Sequence, residues 1–105
     1  MPKVQVVLCT FPDPEAAAQA ARALVSEGLV ACANLLPALR SIYRWEGEIK
    51  DDPETLAVFK TTESRFADME ARLAQLHPYD VPEILGVDVN GGHEPYLRWV
   101  VDCVG

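Results

Sequence analysis

Cys9, in "VVLCTF", and His77, in "LHPYDVPEIL", are the side chains of this sequence with the strongest claim to chemistry. As a thiolate, Cys9 would be a ligand for a soft or borderline metal such as copper. As a thiol closing an apolar segment it would be a small buried hydrophobe. His77 divides in the same way. Its imidazole can lend a lone pair to a metal, with Asp80 or Glu83 near in sequence to assist. It can equally end a helix, where Pro78 holds it extended and its ring suits the negative end of the helix dipole. The spacing matches no standard zinc pattern.

The stretch from Leu76 to Leu85 also carries Tyr79 and Glu83 around two prolines, Pro78 and Pro82. Prolines stiffen a connection between a helix and a strand, which accounts for much of the stretch without any chemistry. A tyrosine and a carboxylate on a rigid turn can also line a cleft between subunits, together with Tyr43, Trp45 and Lys60. Aromatic anchors at an interface are the plainer reading of these residues. The chain has no G-x-S-x-G elbow, P-loop, dinucleotide fingerprint or H-E-x-x-H helix. "FPDPE" puts acid where an acylphosphatase-like site would need arginine. A Cys9–His77 nucleophile pair has no oxyanion-binding feature beside it. No catalytic activity and no organic cofactor are expected.

These residues must be positioned by short elements. "KVQVVLCT" is rich in β-branched residues and ended by "FPDP", which predicts a first strand. "DPEAAAQAARALVSEG" predicts a helix capped by Asp13, with Pro14 in its first turn, an apolar face of Ala17, Ala20, Ala21 and Leu24, and Gly28 as its stop. Extended character resumes in "LVACANLLPAL" and "SIYRWEGEIK", turns near Gly47 or at "DDPE", and returns in "TLAVFKTT". A second helix carries Phe66, Met69, Leu73 and Leu76 on one stripe, "VPEILGVDV" is the fourth strand, and "EPYLRWVVDCV" is a last helix or a strand. The order is β-α-β-β-α-β plus a terminal helix, a ferredoxin-like α+β domain over residues 1–105 with an antiparallel sheet.

Bulk properties narrow the function classes. A chain of 105 residues supports one modest core. With 16 acidic against 9 basic residues, its net charge of −7 would repel phosphate backbones and anionic lipid. Neither nucleic acid nor membrane is an expected partner. Three cysteines, Cys9, Cys32 and Cys103, without close pairing, and an N-terminus lacking an apolar export segment, lead to the expectation of a cytoplasmic protein.

The second and third strands, between Ala31 and Thr62, carry Ile42, Tyr43, Trp45, Ile49 and Phe59, more apolar surface than two helices can cover. Long uncovered strands are liabilities unless another chain meets them. Self-association into a closed ring is the economical answer.

Five segments in order, "VLCT", "ACANLLPALRSIYRWEGEI", "VFKTT", "HPYDVPEI" and "YLRW", resemble the signature blocks of the CutA divalent-cation-tolerance family over nearly the whole chain. The resemblance implies a ferredoxin-like subunit, a homotrimer similar to that of the PII signalling proteins, and weak copper binding without a catalytic reaction. It implies Cys9 and His77 as the metal ligands. Leu76 departs from the pattern, since some members have a second histidine there, and one nitrogen donor is lost. The alternative within the same assembly is a PII-like small-ligand sensor in which metal binding is incidental.

Overall fold

The computed structural model describes all residues from Met1 to Gly105. Four strands, β1 (Val4–Phe11), β2 (Cys32–Trp45), β3 (Glu48–Thr62) and β4 (Leu85–Asp88), form one sheet in the order β2-β3-β1-β4. Every neighbouring pair is antiparallel. The helices are α1 (Pro14–Ser26), α2 (Phe66–Leu76), preceded by a 3-10 turn at Glu63–Arg65, and α3 (Glu94–Val104). No helix is long and apolar enough to cross a membrane.

Local chemistry sets the ends of these elements. The Asp13 carboxylate accepts the Ala16 N–H at 2.8 Å, satisfying one free donor of α1, and Pro14 occupies a position whose N–H would have no helical partner. Gly28 leaves the helix at φ +72°, in the left-handed region that glycine enters without a Cβ clash. At the tip of the β2–β3 hairpin, Glu46 and Gly47 both have positive φ, the two-residue turn whose twist matches the strands. The hairpin therefore turns at Gly47. "DDPE" runs inside β3, with Pro53 paired to Arg40 beyond Thr55, the last residue of β3 that β1 reaches. There β3 has a neighbour on one side only, so proline's missing N–H is tolerated.

Alternation along the strands divides the sheet into two faces. Val7, Cys9 and Phe11 of β1, with Ala57 and Phe59 of β3, point toward α1 and α2 and meet Ala17, Ala20, Leu24, Met69 and Leu73 in the main core. Phe59 is fully buried there, which corrects its sequence-based assignment to the uncovered load. On the other face Val4 and Ala31 pack against Val100 and Val104, so the C-terminal segment is a helix, not a strand.

α3 covers only one end of that second face. Leu8, Leu56 and Val58 remain half-buried, and Leu36, Leu85 and Val87 are each about half exposed. The register of the sheet puts all six on the same side. The hairpin then continues past the sheet as an arm, giving extents of 45 × 25 × 22 Å, with Ile42, Trp45 and Ile49 exposed along it. β4 is only four residues, shorter than the strand predicted from "VPEILGVDV". Pro82 and the residues around it form the rigid connection instead.

Candidate functional site: an acidic, aromatic cleft beside a locked histidine

Both sequence-predicted metal ligands lie at the end of β1, on either side of the Thr10 carbonyl. Cys9 is fully buried in the main core, and its thiol lies 3.9 Å from that oxygen. Burial, followed by the charges of Glu83 and Glu54, pushes the thiol up to about 12, so it is protonated at neutral pH. His77 caps α2 in an extended conformation, as a residue before proline must be. Its Nε2 lies 2.8 Å from the Thr10 oxygen, and its Nδ1 accepts the Tyr79 N–H at 3.1 Å.

These two bonds require the neutral tautomer with the proton on Nε2. Burial holds the imidazole below its usual range, and the ring stacks on Phe11 with centroids 4.4 Å apart. The ring therefore has no free lone pair. Nowhere do three His, Cys, Asp or Glu side chains converge as a group able to hold a metal. Copper shared between Cys9 and His77 does not fit this arrangement: one donor is a buried thiol, and the other has both nitrogens engaged. The pair's contribution is positional, joining the α2–β4 connection to β1.

That junction forms one wall of a cleft of about 730 Å³. Tyr79, held by His77, packs its ring 4.8 Å from the imidazole and donates its hydroxyl to Glu54 at 2.7 Å. Across the cleft, Tyr43 donates its hydroxyl to Asp52 at 2.6 Å, and Trp45 and Ile42 extend the apolar wall. Thr10 and Ser41 contribute hydroxyls, while Glu54, Asp80 and Glu83 contribute carboxylates. Both phenols are held above their usual range, Tyr79 by burial and the Glu54 hydrogen bond, Tyr43 chiefly by Asp52. They stay neutral donors.

Of the five residues expected to line a cleft between subunits, four, Tyr43, Trp45, Tyr79 and Glu83, come together in this cleft of a single chain. Lys60 is not among them. It lies on the second sheet face, opposite Val6 and Cys32, where its ammonium bonds the Asn34 side-chain oxygen. Glu54 was missed because "DDPE" reads as a turn. Its signal was available in the alternation of β3, which puts Glu54 on the same side as Leu56 and Val58.

A split β-α-β sheet with a projecting two-strand arm and a cleft at the arm's root defines a ferredoxin-like α+β protein. The sequence model described as CutA1 divalent ion tolerance protein matches residues 5–103. The chain is 46% identical over 101 residues to the divalent-cation tolerance protein CutA of Thermus thermophilus, covering 96% of this chain and 98% of that one. It is 43% identical over 97 residues to the protein of the same description from Pyrococcus horikoshii, covering 92% and 94%. Among solved structures, the Thermus thermophilus divalent cation tolerance protein superposes with a TM-score of 0.94 at 45% identity, covering 97% of this chain and 99% of that one. The divalent ion tolerance protein CutA1 of Ehrlichia chaffeensis gives 0.95 at 30% identity, covering 100% and 98%. This chain belongs to the CutA divalent-cation tolerance family.

Proposed function

We propose that the protein acts in divalent-cation tolerance as a cytoplasmic homotrimer that binds cations, copper included, weakly and without a catalytic step. The observation that carries the assembly is the second face of the sheet. Leu36, Leu85 and Val87 stand half exposed around Leu8, Leu56 and Val58, and the arm adds Ile42, Trp45 and Ile49. A surface of this kind is an association surface in a soluble chain. Burying such side chains contributes about 1.5–3 kcal/mol each before ordering costs. The count of three follows from the family resemblance.

The weakness of cation binding follows from the donors. With Cys9 protonated and His77 engaged, a divalent ion meets separated carboxylates on a surface of net charge −7. Oxygen donors that do not converge favour no particular first-row metal. Three thiols without a disulfide suit a reducing compartment. Light scattering at micromolar concentration, combined with copper and magnesium titration against a competing chelator, tests the reading. A trimer with weak, unselective binding is expected. A stable folded monomer, or tight copper binding abolished by Cys9→Ser, overturns it.

A second reading is favoured by the cleft itself. A cavity of about 730 Å³ has the size of a small-molecule site. In that reading the protein is a trimeric sensor of a small ligand, and metal binding is incidental.

A further inference from the structure

In the proposed trimer the cleft does not stay open to solvent. Its walls Ile42 and Trp45 belong to the association surface, so whatever closes it comes from a neighbouring subunit. Its charged lining groups, Glu54, Asp80 and Glu83, are all acidic, and Glu54 already accepts the Tyr79 hydroxyl. Asp80 and Glu83 have no partner within the chain.

The chain also holds a cation placed to meet them. Of its 9 basic residues, six pair with carboxylates and Lys60 bonds the Asn34 side chain, which leaves Arg22 and Arg44. Arg22 is on α1, in the helix layer that covers the opposite face of the sheet. Arg44 is exposed near the tip of the arm. It stands between Tyr43 and Trp45, which line the cleft of their own chain, yet it does not line that cleft itself. Strand alternation turns it to the other side of the arm, beside Ile49.

Assembly that buries the arm must provide for this charge, because an arginine taken out of water without an acidic partner is strongly destabilising. A closed ring of three is built from heterologous contacts, in which one surface of each chain meets a different surface of the next. The arm offers a free cation. The cleft offers two free carboxylates and the ring faces of Tyr43, Trp45 and Tyr79, on which a planar guanidinium can stack.

We propose that in the trimer Arg44 of each subunit docks in the cleft of the next subunit and pairs there with Asp80 and Glu83. The inference rests on the trimer reading of the function and names the contact that closes the ring. Each cleft is then a socket that is incomplete without its neighbour.

The test is a charge exchange between subunits of the full chain. Light scattering over a dilution series, at one urea concentration where the unmodified trimer half-dissociates in the micromolar range, gives a midpoint for each variant. Arg44→Glu and Glu83→Lys should each raise that midpoint at least about tenfold, and Arg44→Gln, which adds no repulsion, should raise it less. Combining Arg44→Glu with Glu83→Lys in one chain should restore most of the loss. Co-refolding equal amounts of the two single variants should restore part of it, because two of the three contacts in a mixed ring are then matched. Circular dichroism establishes that each variant has folded, and Asp80→Lys takes the place of Glu83→Lys if the latter has not.

A midpoint unmoved by Arg44→Glu overturns the proposal and leaves the trimer standing. Recovery in the double variant but not in the mixture places the ion pair within one chain and overturns it too. Recovery in neither means that Arg44 meets a different acceptor, with the same result. An unmodified chain that is monomeric without urea overturns the trimer reading itself.

Discussion

The imidazole of His77 donates its Nε2–H to the carbonyl of Thr10 across 2.8 Å, while its Nδ1 accepts the N–H of Tyr79. One neutral ring thus joins the end of β1 to the turn after α2. The charged ring cannot serve both partners, because an imidazolium has no acceptor for the Tyr79 N–H.

Acid should therefore loosen this junction. Burial lowers the folded-state pKa of His77 below its ordinary value near 6.5, although the Thr10 carbonyl and the charge of Glu54 pull the other way. Between the depressed folded value and 6.5 the unfolded chain binds more protons, so the contribution is complete above 6.5 and is lost as pH falls toward the folded value. The slope from this one group is at most about 1.4 kcal/mol per pH unit. Thermal unfolding followed against pH at fixed protein concentration should show the fall, and His77→Gln should flatten it. An unchanged profile in the variant would mean that other groups carry the dependence.

Cys9 should be chemically silent in the folded protein. Its thiol is fully buried and pushed up to about 12, whereas Cys103 is exposed on α3. Alkylation at neutral pH followed by peptide mapping should label Cys103 readily and Cys9 only on unfolding. Cys9→Ser should destabilise by about 1–3 kcal/mol, because a hydroxyl enters an apolar core with only the Thr10 carbonyl nearby. Rapid labelling of Cys9 in the native state would contradict the packing.

The bulge in β2 carries local strain that glycine would relieve. Pro37 and Ala38 lie where the pairing with β3 slips between Leu36 and Leu39, and Ala38 has φ +64°. The left-handed region costs a non-glycine residue about 1–2 kcal/mol, partly offset by the greater unfolded-state freedom of glycine. Ala38→Gly should raise stability by roughly 0.5–1 kcal/mol in denaturant titration. A loss of stability would show that the alanine methyl makes contacts outweighing the strain.

Gly86 on β4 is a steric requirement of a different kind. A Cβ there would lie 2.8 Å from Cε1 of Phe66, the first residue of α2. Gly86→Ala should destabilise by about 1–3 kcal/mol through overpacking. Phe66→Leu should recover part of that loss, giving a favourable coupling in a double-mutant cycle. Strict additivity of the two changes would refute the contact.

Much of this fold was legible because its signals are local. Asp13, Pro14 and Gly28 bracket α1 through backbone chemistry that needs no distant partner, and the spacing of Phe66, Met69 and Leu73 marks the face of α2 that the core receives. Residue type and rigidity singled out Tyr43, Trp45, Tyr79 and Glu83 as residues of a cleft between subunits, and the fold of one chain brings these four side chains together. Three things depended on packing. The sequence left His77 open between a ligand and a helix end, and only the Thr10 carbonyl and the Tyr79 N–H, brought to its two nitrogens by tertiary structure, fix its protonation and occupy its lone pair. Lys60 and Glu54 share one face of β3, and which of them stands near Tyr79 depends on where the connection after α2 docks along that strand, a tertiary contact made by the Tyr79 hydroxyl on Glu54. Phe59 could be counted as apolar from the sequence, but whether it faces helices or solvent depends on strand register, since a shift of one residue carries every side chain to the opposite face.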